Sequence, residues 1–166
     1  PEFVLNPLSM RLFNSAYYHR HIRRRRETIR HYDPYFYPLD VVGRWNRVYG
    51  RPGFLQYQFV VPFAGGADVL DEILERISRR GTGSFLAVLK SFGKGRGFLS
   101  FPEPGYTLAL DFPLTDRTII AFLREITTLV RDAGGRVYLA KDAILKRDDF
   151  DVMYPDLSHF KRVKQR

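Results

Sequence analysis

Apolar residues recur with regular periods from Phe54 onward, and the period changes from two to about 3.6 and back again. Alternation over residues 54–61 predicts a β-strand, and a helical stripe follows that Gly81 ends. The apolar residues of this helical stripe are Val69, Leu70, Ile73, Leu74 and Ile77. A second strand is predicted over residues 84–92. This part of the chain is therefore predicted to form a strand, a helix and a strand.

The same succession of periods continues after a glycine-rich link. The pattern predicts a strand over residues 106–112, a helix from about Asp116 to Ala133, and a last strand over Arg136–Ala140. The apolar residues of this helix are Ile119, Ile120, Leu123, Ile126 and Val130. The order from Phe54 is βαββαβ, which predicts an α+β fold, a ferredoxin-like antiparallel sheet with both helices on one face.

The segments outside this unit are less regular. Helical spacing predicts an N-terminal helix over residues 7–19, and six arginines crowd residues 20–30. Residues 31–49 form an aromatic segment with two prolines, for which we expect an ordered but irregular structure. The C-terminal run FKRVKQR is basic and predicts a helical segment.

Polar side chains share one face of the predicted sheet. Because side chains alternate along a strand, Gln56 and Gln58 lie opposite to the apolar residues of the first strand. Thr107, Ala109 and Asp111 form a second polar row, and Lys90 comes near the end of the strand over 84–92. This face either meets water, as in many antiparallel sheets, or forms a binding site.

Composition and charge narrow the classes of protein that remain. The formal net charge is +9 and the isoelectric point is about 10.0, which favour an anionic partner. The chain has no cysteine and no apolar run long enough to span a bilayer, and residues 1–6 lack the charged start of a signal peptide. We expect no metal site, because the His19 and His21 pair lies among the arginines.

An RNA-binding alternative rests on the stretch KGRGFLSF, residues 94–101, which is close to an RRM signature on a βαββαβ fold. Arg96 replaces an aromatic residue that would stack on a base, and the first strand offers glutamines where a second aromatic platform belongs. Prolines at 102 and 104 favour a loop or a short edge strand. We therefore expect no nucleic-acid partner.

Four stretches in the same order resemble one family. They are YPLDVVGRWNRVYG (37–50), GFLQYQFVVP (53–62), LSFPEPGYTLALDFP (99–113) and GGRVYLAKDA (134–143). They resemble the decaprenylphosphoryl-β-D-ribose oxidase family of vanillyl-alcohol-oxidase-like FAD enzymes. The resemblance implies an FAD-dependent oxidoreductase that oxidises the 2-hydroxyl of a polyprenyl-phosphoryl ribose to a keto sugar, in the formation of a cell-wall arabinose precursor. A separate NAD(P)H-dependent keto-reductase would then reduce the product.

The resemblance also assigns roles to individual residues. Lys141 matches a catalytic lysine beside the flavin, and Tyr138 matches a tyrosine that lines the cofactor pocket. Gln56, Gln58 and Lys90 match substrate-binding positions, and we add Thr107 to them. Thr107 and Ala109 stand where the actinobacterial enzymes have asparagine and cysteine, so a related sugar or aldonolactone oxidase stays open as an alternative. A non-catalytic binding module of the same fold is a third alternative.

The resemblance further predicts how the chain is divided. Residues 1–137 would form the substrate domain, and residues 138–166 would begin a segment that returns to an FAD-binding domain absent from this chain. We expect the fragment alone to be inactive, and exposed docking surface to favour self-association. The basic segment 20–37 suits peripheral contact with a membrane. The expected location is the bacterial cytoplasm or the inner membrane surface.

Overall fold

Within the described residues, six helices and a four-stranded antiparallel sheet make up the α+β fold, which confirms the predicted class. The computed structural model describes residues 7–20, 27–37, 43–81, 84, 86–114 and 116–165. The arginines at 23–26 and residues 38–42 lie outside these ranges, so what the sequence predicts for them stays a prediction. The predicted N-terminal helix is α1 (Pro7–His19). The aromatic segment contains a short helix, α2 (Tyr32–Phe36), and a 3₁₀ turn, Trp45–Tyr49.

The regular unit follows in the predicted order. Its elements are β1 (Phe54–Pro62), α3 (Phe63–Arg80), β2 (Ala87–Phe92), β3 (Gly105–Pro113), α4 (Thr118–Asp132) and β4 (Arg136–Val137). The strand order in the sheet is β2-β3-β1-β4, the ferredoxin-like arrangement that the βαββαβ order predicts. A 3₁₀ turn, Leu139–Lys141, and two helices, α5 (Arg147–Met153) and α6 (Leu157–Lys164), complete the chain.

The core lies between the sheet and the two long helices. In β1 the residues Tyr57, Phe59 and Val61 point to this side, as their alternation predicts. They meet apolar residues from three other elements: Leu108, Leu110 and Phe112 of β3, Leu70 and Ile73 of α3, and Ile119, Leu123, Ile126 and Val130 of α4. Burying a large apolar side chain stabilises the fold by about 1.5–3 kcal/mol, so this layer is the main source of stability. Both helices therefore cover the same face of the sheet.

The hydroxyl of Tyr57 is accommodated inside this apolar layer by a polar partner. It lies 2.9 Å from Thr127 Oγ1, which itself donates to the Leu123 carbonyl. Because the threonine proton is already used, Tyr57 must be the donor. Burial raises the pKa of Tyr57 well above its usual range, so the phenol stays protonated and keeps this bond.

The last strand is shorter than predicted. Pairing in β4 covers only Arg136 and Val137, whereas the pattern predicts a strand to Ala140. The Tyr138 N–H still donates to the Gln58 carbonyl at 2.8 Å, but the Lys141 N–H turns back to the Tyr138 carbonyl at 2.8 Å. A local 3₁₀ bond therefore replaces the next sheet bond. Lys141 consequently lies at the end of this turn and not at the end of a strand.

Two glycines allow the strands to approach closely. A Cβ atom at Gly105 would collide with the Val61 carbonyl, and one at Gly135 would collide with the Val60 carbonyl. Since both oxygens belong to the backbone of β1, neither collision can be relieved by a side-chain rotation. These glycines allow β3 and β4 to pair with β1 along its two edges.

Gly105→Ala is expected to lower the free energy of unfolding by about 1–3 kcal/mol, because the added methyl group meets the backbone of β1. Gly93→Ala is the matched control, since nothing lies within 4 Å of its added Cβ atom, and its effect should stay within about 0.5 kcal/mol. Urea unfolding followed by circular dichroism measures both. Equal midpoints for the two variants would contradict the close approach.

Candidate functional site

The open side of the sheet carries the polar residues that alternation predicts. We call Gln56, Gln58, Lys90, Thr107 and Asp111 the polar face. In the register, Gln56 lies opposite Asp111, and Lys90 lies opposite Thr107. Three adjacent strands thus present amides, a hydroxyl, a carboxylate and an ammonium on one side of the sheet.

A buried carboxylate anchors one end of the polar face. Asp111 is only 2% exposed, and the Gln56 amide nitrogen donates to its Oδ1 at 3.1 Å. The Tyr49 hydroxyl donates to Oδ2 at 3.3 Å, and the Tyr49 ring stacks on Phe54 with centroids 4.5 Å apart. Tyr49 therefore closes the outer side of the carboxylate. Sequence reasoning placed Asp111 on this face but did not identify Tyr49, which is 62 residues away along the chain.

The protonation of Asp111 reflects opposing effects. Burial raises its pKa, while the hydrogen bonds from Gln56 and Tyr49 and the positive charge of Lys141 act to lower it. The net shift is upward, so burial outweighs these three effects.

Lys141 and Tyr138 reach the site from the turn after β4. Lys141 is half-buried, and it forms no ion pair within the part of the chain that the structure describes. The Tyr138 ring stacks on Phe101 with centroids 4.7 Å apart, and Phe101 in turn meets Phe92 edge-on. The loop before β3 is thereby held beside the turn that carries Lys141.

The other end of the polar face is formed by Gln58, Thr107 and Lys90. The Gln58 amide nitrogen donates to Thr107 Oγ1 at 3.2 Å, and Thr107 is only 1% exposed. Gln58 covers the threonine and presents its own amide, while the Lys90 side chain is exposed. The structure thus brings all six predicted residues to this side of the sheet or its edge, and their binding and catalytic roles stay predictions.

An ion pair that sequence reasoning missed secures the loop over residues 93–104. Arg136 donates to Glu103 Oε2 at 2.5 Å and to the Ser100 carbonyl at 3.0 Å. Burial raises the pKa of Glu103, although the neighbouring Arg136 acts against this shift. No local pattern signals a pair separated by 33 residues. Its position beside Tyr138 makes it a support for the site.

The RRM-like stretch, residues 94–101, lies in this loop and not in a strand. Phe98 contacts the His159 ring at 5.8 Å, and Phe101 packs beneath Tyr138. Their rings are therefore not displayed along a central strand, where the stacking platform of an RRM is found.

Two further structural findings bear on the class of site. Among the described residues, no cluster of three or more histidine, cysteine, aspartate or glutamate side chains could hold a metal ion. The expectation that His19 and His21 form no metal site stays a prediction, since His21 lies outside those residues. None of the described helices has the length and apolar character needed to cross a membrane.

Comparison with known proteins supports the resemblance seen in the motifs. The chain is 40% identical over 141 residues to the decaprenylphosphoryl-beta-D-ribose oxidase of Mycolicibacterium smegmatis, a match that covers 84% of this chain and 30% of that protein. It is 38% identical over 101 residues to an uncharacterized Streptomyces coelicolor protein from the mprA 5' region, covering 60% of this chain and 28% of that protein. No family model matches the chain. The predicted resemblance is confirmed, and the chain spans less than a third of either relative.

Asp111→Asn is expected to raise the free energy of unfolding at neutral pH. Because the pKa of Asp111 is raised on folding, the folded state binds its proton more readily, and stability is lost as pH rises from the unfolded value through the folded one. Asparagine has no charge to bury, and it can still accept a hydrogen bond from Gln56. Urea unfolding at several pH values should show the advantage shrinking as pH falls through the ordinary aspartate range. A variant less stable than the parent at neutral pH would contradict this.

Proposed function

We propose that this chain is the substrate-side part of an FAD-dependent oxidoreductase that oxidises the 2-hydroxyl of a polyprenyl-phosphoryl ribose to a keto sugar. The observation that carries the proposal is the pair of Gln56 with the buried Asp111 on the polar face, together with the half-buried Lys141 on a turn that contacts the same strand, β1. Similarity to a protein named decaprenylphosphoryl-beta-D-ribose oxidase supports the same substrate class. A sheet face that only meets water would not need a buried carboxylate such as Asp111.

The residues at the edge of the site fit the reacting end of a flavin. Lys141 offers a half-buried ammonium without an ion-pair partner among the described residues, and Tyr138, three residues earlier, offers an aromatic ring that stacks on Phe101. When bound, FAD would supply the acceptor for the hydride that leaves the sugar. The positive charge of Lys141, fixed before the reaction, would stabilise negative charge that develops beside it.

The polar face would bind and orient the sugar. Gln56 and Gln58 carry amides that can accept from and donate to hydroxyl groups, and their bonds to Asp111 and Thr107 restrict how they turn. The exposed ammonium of Lys90 suits a phosphate oxygen. Holding the ribose by several such bonds would present one carbon to the acceptor, and orientation of this kind is a large part of catalysis.

The proposal extends to the division of the chain and its partners. Residues 1–137 would form the substrate domain, and residues 138–166 would begin a segment that returns to an FAD-binding domain. A keto-reductase would consume the product, and basic residues near the N-terminus would contact an acidic membrane surface.

The full-length product of the gene is expected to show a flavin spectrum that bleaches when a polyprenyl-phosphoryl ribose is added without oxygen. Lys141→Ala should slow this bleaching by roughly 10²–10³-fold, because a preorganised charge at the reacting centre is lost. Lys164→Ala is the control, since this exposed lysine of α6 lies outside the site and its removal should leave the rate unchanged.

A colourless full-length protein would overturn the oxidase proposal. A flavoprotein that is bleached by a sugar lactone but not by the ribosyl lipid would instead support the related aldonolactone oxidase.

A further inference from the structure

Asp111 is a buried charge that stability alone does not explain. Among the described residues, the buried threonines Thr107 and Thr127 carry neutral hydroxyls with hydrogen-bond partners. Removing a carboxylate from water is costly, and its two donors, Gln56 and Tyr49, offset that cost only in part. We therefore look for a role of this carboxylate other than stabilising the fold, and the groups around Asp111 indicate such a role.

The chemistry of a carboxylate determines how Gln56 is turned. An ionised carboxylate can only accept hydrogen bonds, so Gln56 must direct its amide nitrogen to Asp111, as it does at 3.1 Å. The carbonyl oxygen of the same amide then points away from Asp111. Gln58 lacks this constraint, because the Thr107 hydroxyl can either donate or accept. The orientation of Gln56 therefore depends on the charge of Asp111.

Lys141 lies on a turn that contacts β1, the strand that carries Gln56. Because β4 runs antiparallel to β1 and the Tyr138 N–H donates to the Gln58 carbonyl, this turn follows β1 towards Gln56 and its partner Asp111, whose negative charge attracts an ammonium group. Lys141 nevertheless forms no ion pair among the described residues, so its N–H donors are not taken up by a neighbouring acid.

We propose that Asp111 is a positioning residue, which turns the carbonyl oxygen of Gln56 outward and holds the ammonium of Lys141 beside it. The site then presents a hydrogen-bond acceptor and a cation next to each other, a pair that suits a hydroxyl group on a carbon about to lose a hydride. This deepens the proposed function and rests on it for the identity of the ligand. The positioning itself is a property of the free chain.

Side-chain amide signals in the NMR spectrum of the 166-residue chain test the first half of the proposal, with no ligand present. In Asp111→Asn, the Gln56 amide protons should exchange with solvent several-fold faster and their signals should shift, because a charge-assisted bond is lost. The Gln58 amide is an internal control that should keep its signals. Unchanged Gln56 signals, or equal changes at Gln58, would overturn the proposal.

Chemical labelling tests the second half. The rate at which acetic anhydride acetylates Lys141, measured by mass spectrometry against exposed Lys164, should rise several-fold in Asp111→Asn. Asp68→Asn removes the same charge from the exposed side of α3 and should change nothing. Tyr49→Phe removes the other donor to the carboxylate but keeps its charge, so it should also leave the labelling unchanged.

Labelling that is equal in Asp111→Asn and the parent, or that rises equally in Tyr49→Phe, would show that Asp111 has only a structural role. Neither measurement uses flavin or sugar. Failure of the positioning proposal is therefore distinguishable from failure of the oxidase proposal, which a colourless full-length protein would reveal.

Discussion

The antiparallel pairing of β1 with β3 is the constraint on which the rest of the molecule depends. Its register sets Tyr57 opposite Leu110 on the core side, and it sets Gln56 opposite Asp111 on the other side. A slip of one residue would turn every side chain of β1 to the opposite face, burying the amides and exposing the aromatic residues. Core and site are therefore determined together, because they are the two faces of one pair of strands.

The segment that follows α4 returns to this pair of strands and completes the site. Gly135 lets β4 approach β1, and the strand ends after two residues in a 3₁₀ turn. The Lys141 N–H bonds to the Tyr138 carbonyl in this turn, where a continued strand would have carried the chain further along β1. The position of Lys141 thus follows from a local departure from sheet geometry.

Two carboxylates near the site, Asp111 and Glu103, lie in positions where burial disfavours their ionised form. Burial raises the pKa of both Asp111 and Glu103, so neither carboxylate is as readily ionised as it would be in water. Glu103 holds Arg136 and with it the loop that carries Phe101, while Asp111 holds Gln56. Both acids connect segments that are distant along the chain. Such sites commonly sacrifice some stability for this arrangement.

The sequence by itself determined the elements of the βαββαβ unit, the face to which each strand residue points, and the resemblance that named Lys141, Tyr138 and Gln56. These follow from periods of two and 3.6 residues and from matched motifs, which are local properties. Only the tertiary structure decided that Tyr49 closes on Asp111, that Arg136 pairs with Glu103, and that β4 stops at Val137. Each of these depends on register, chain return and burial between distant segments, and no local pattern records which distant partner a side chain will meet.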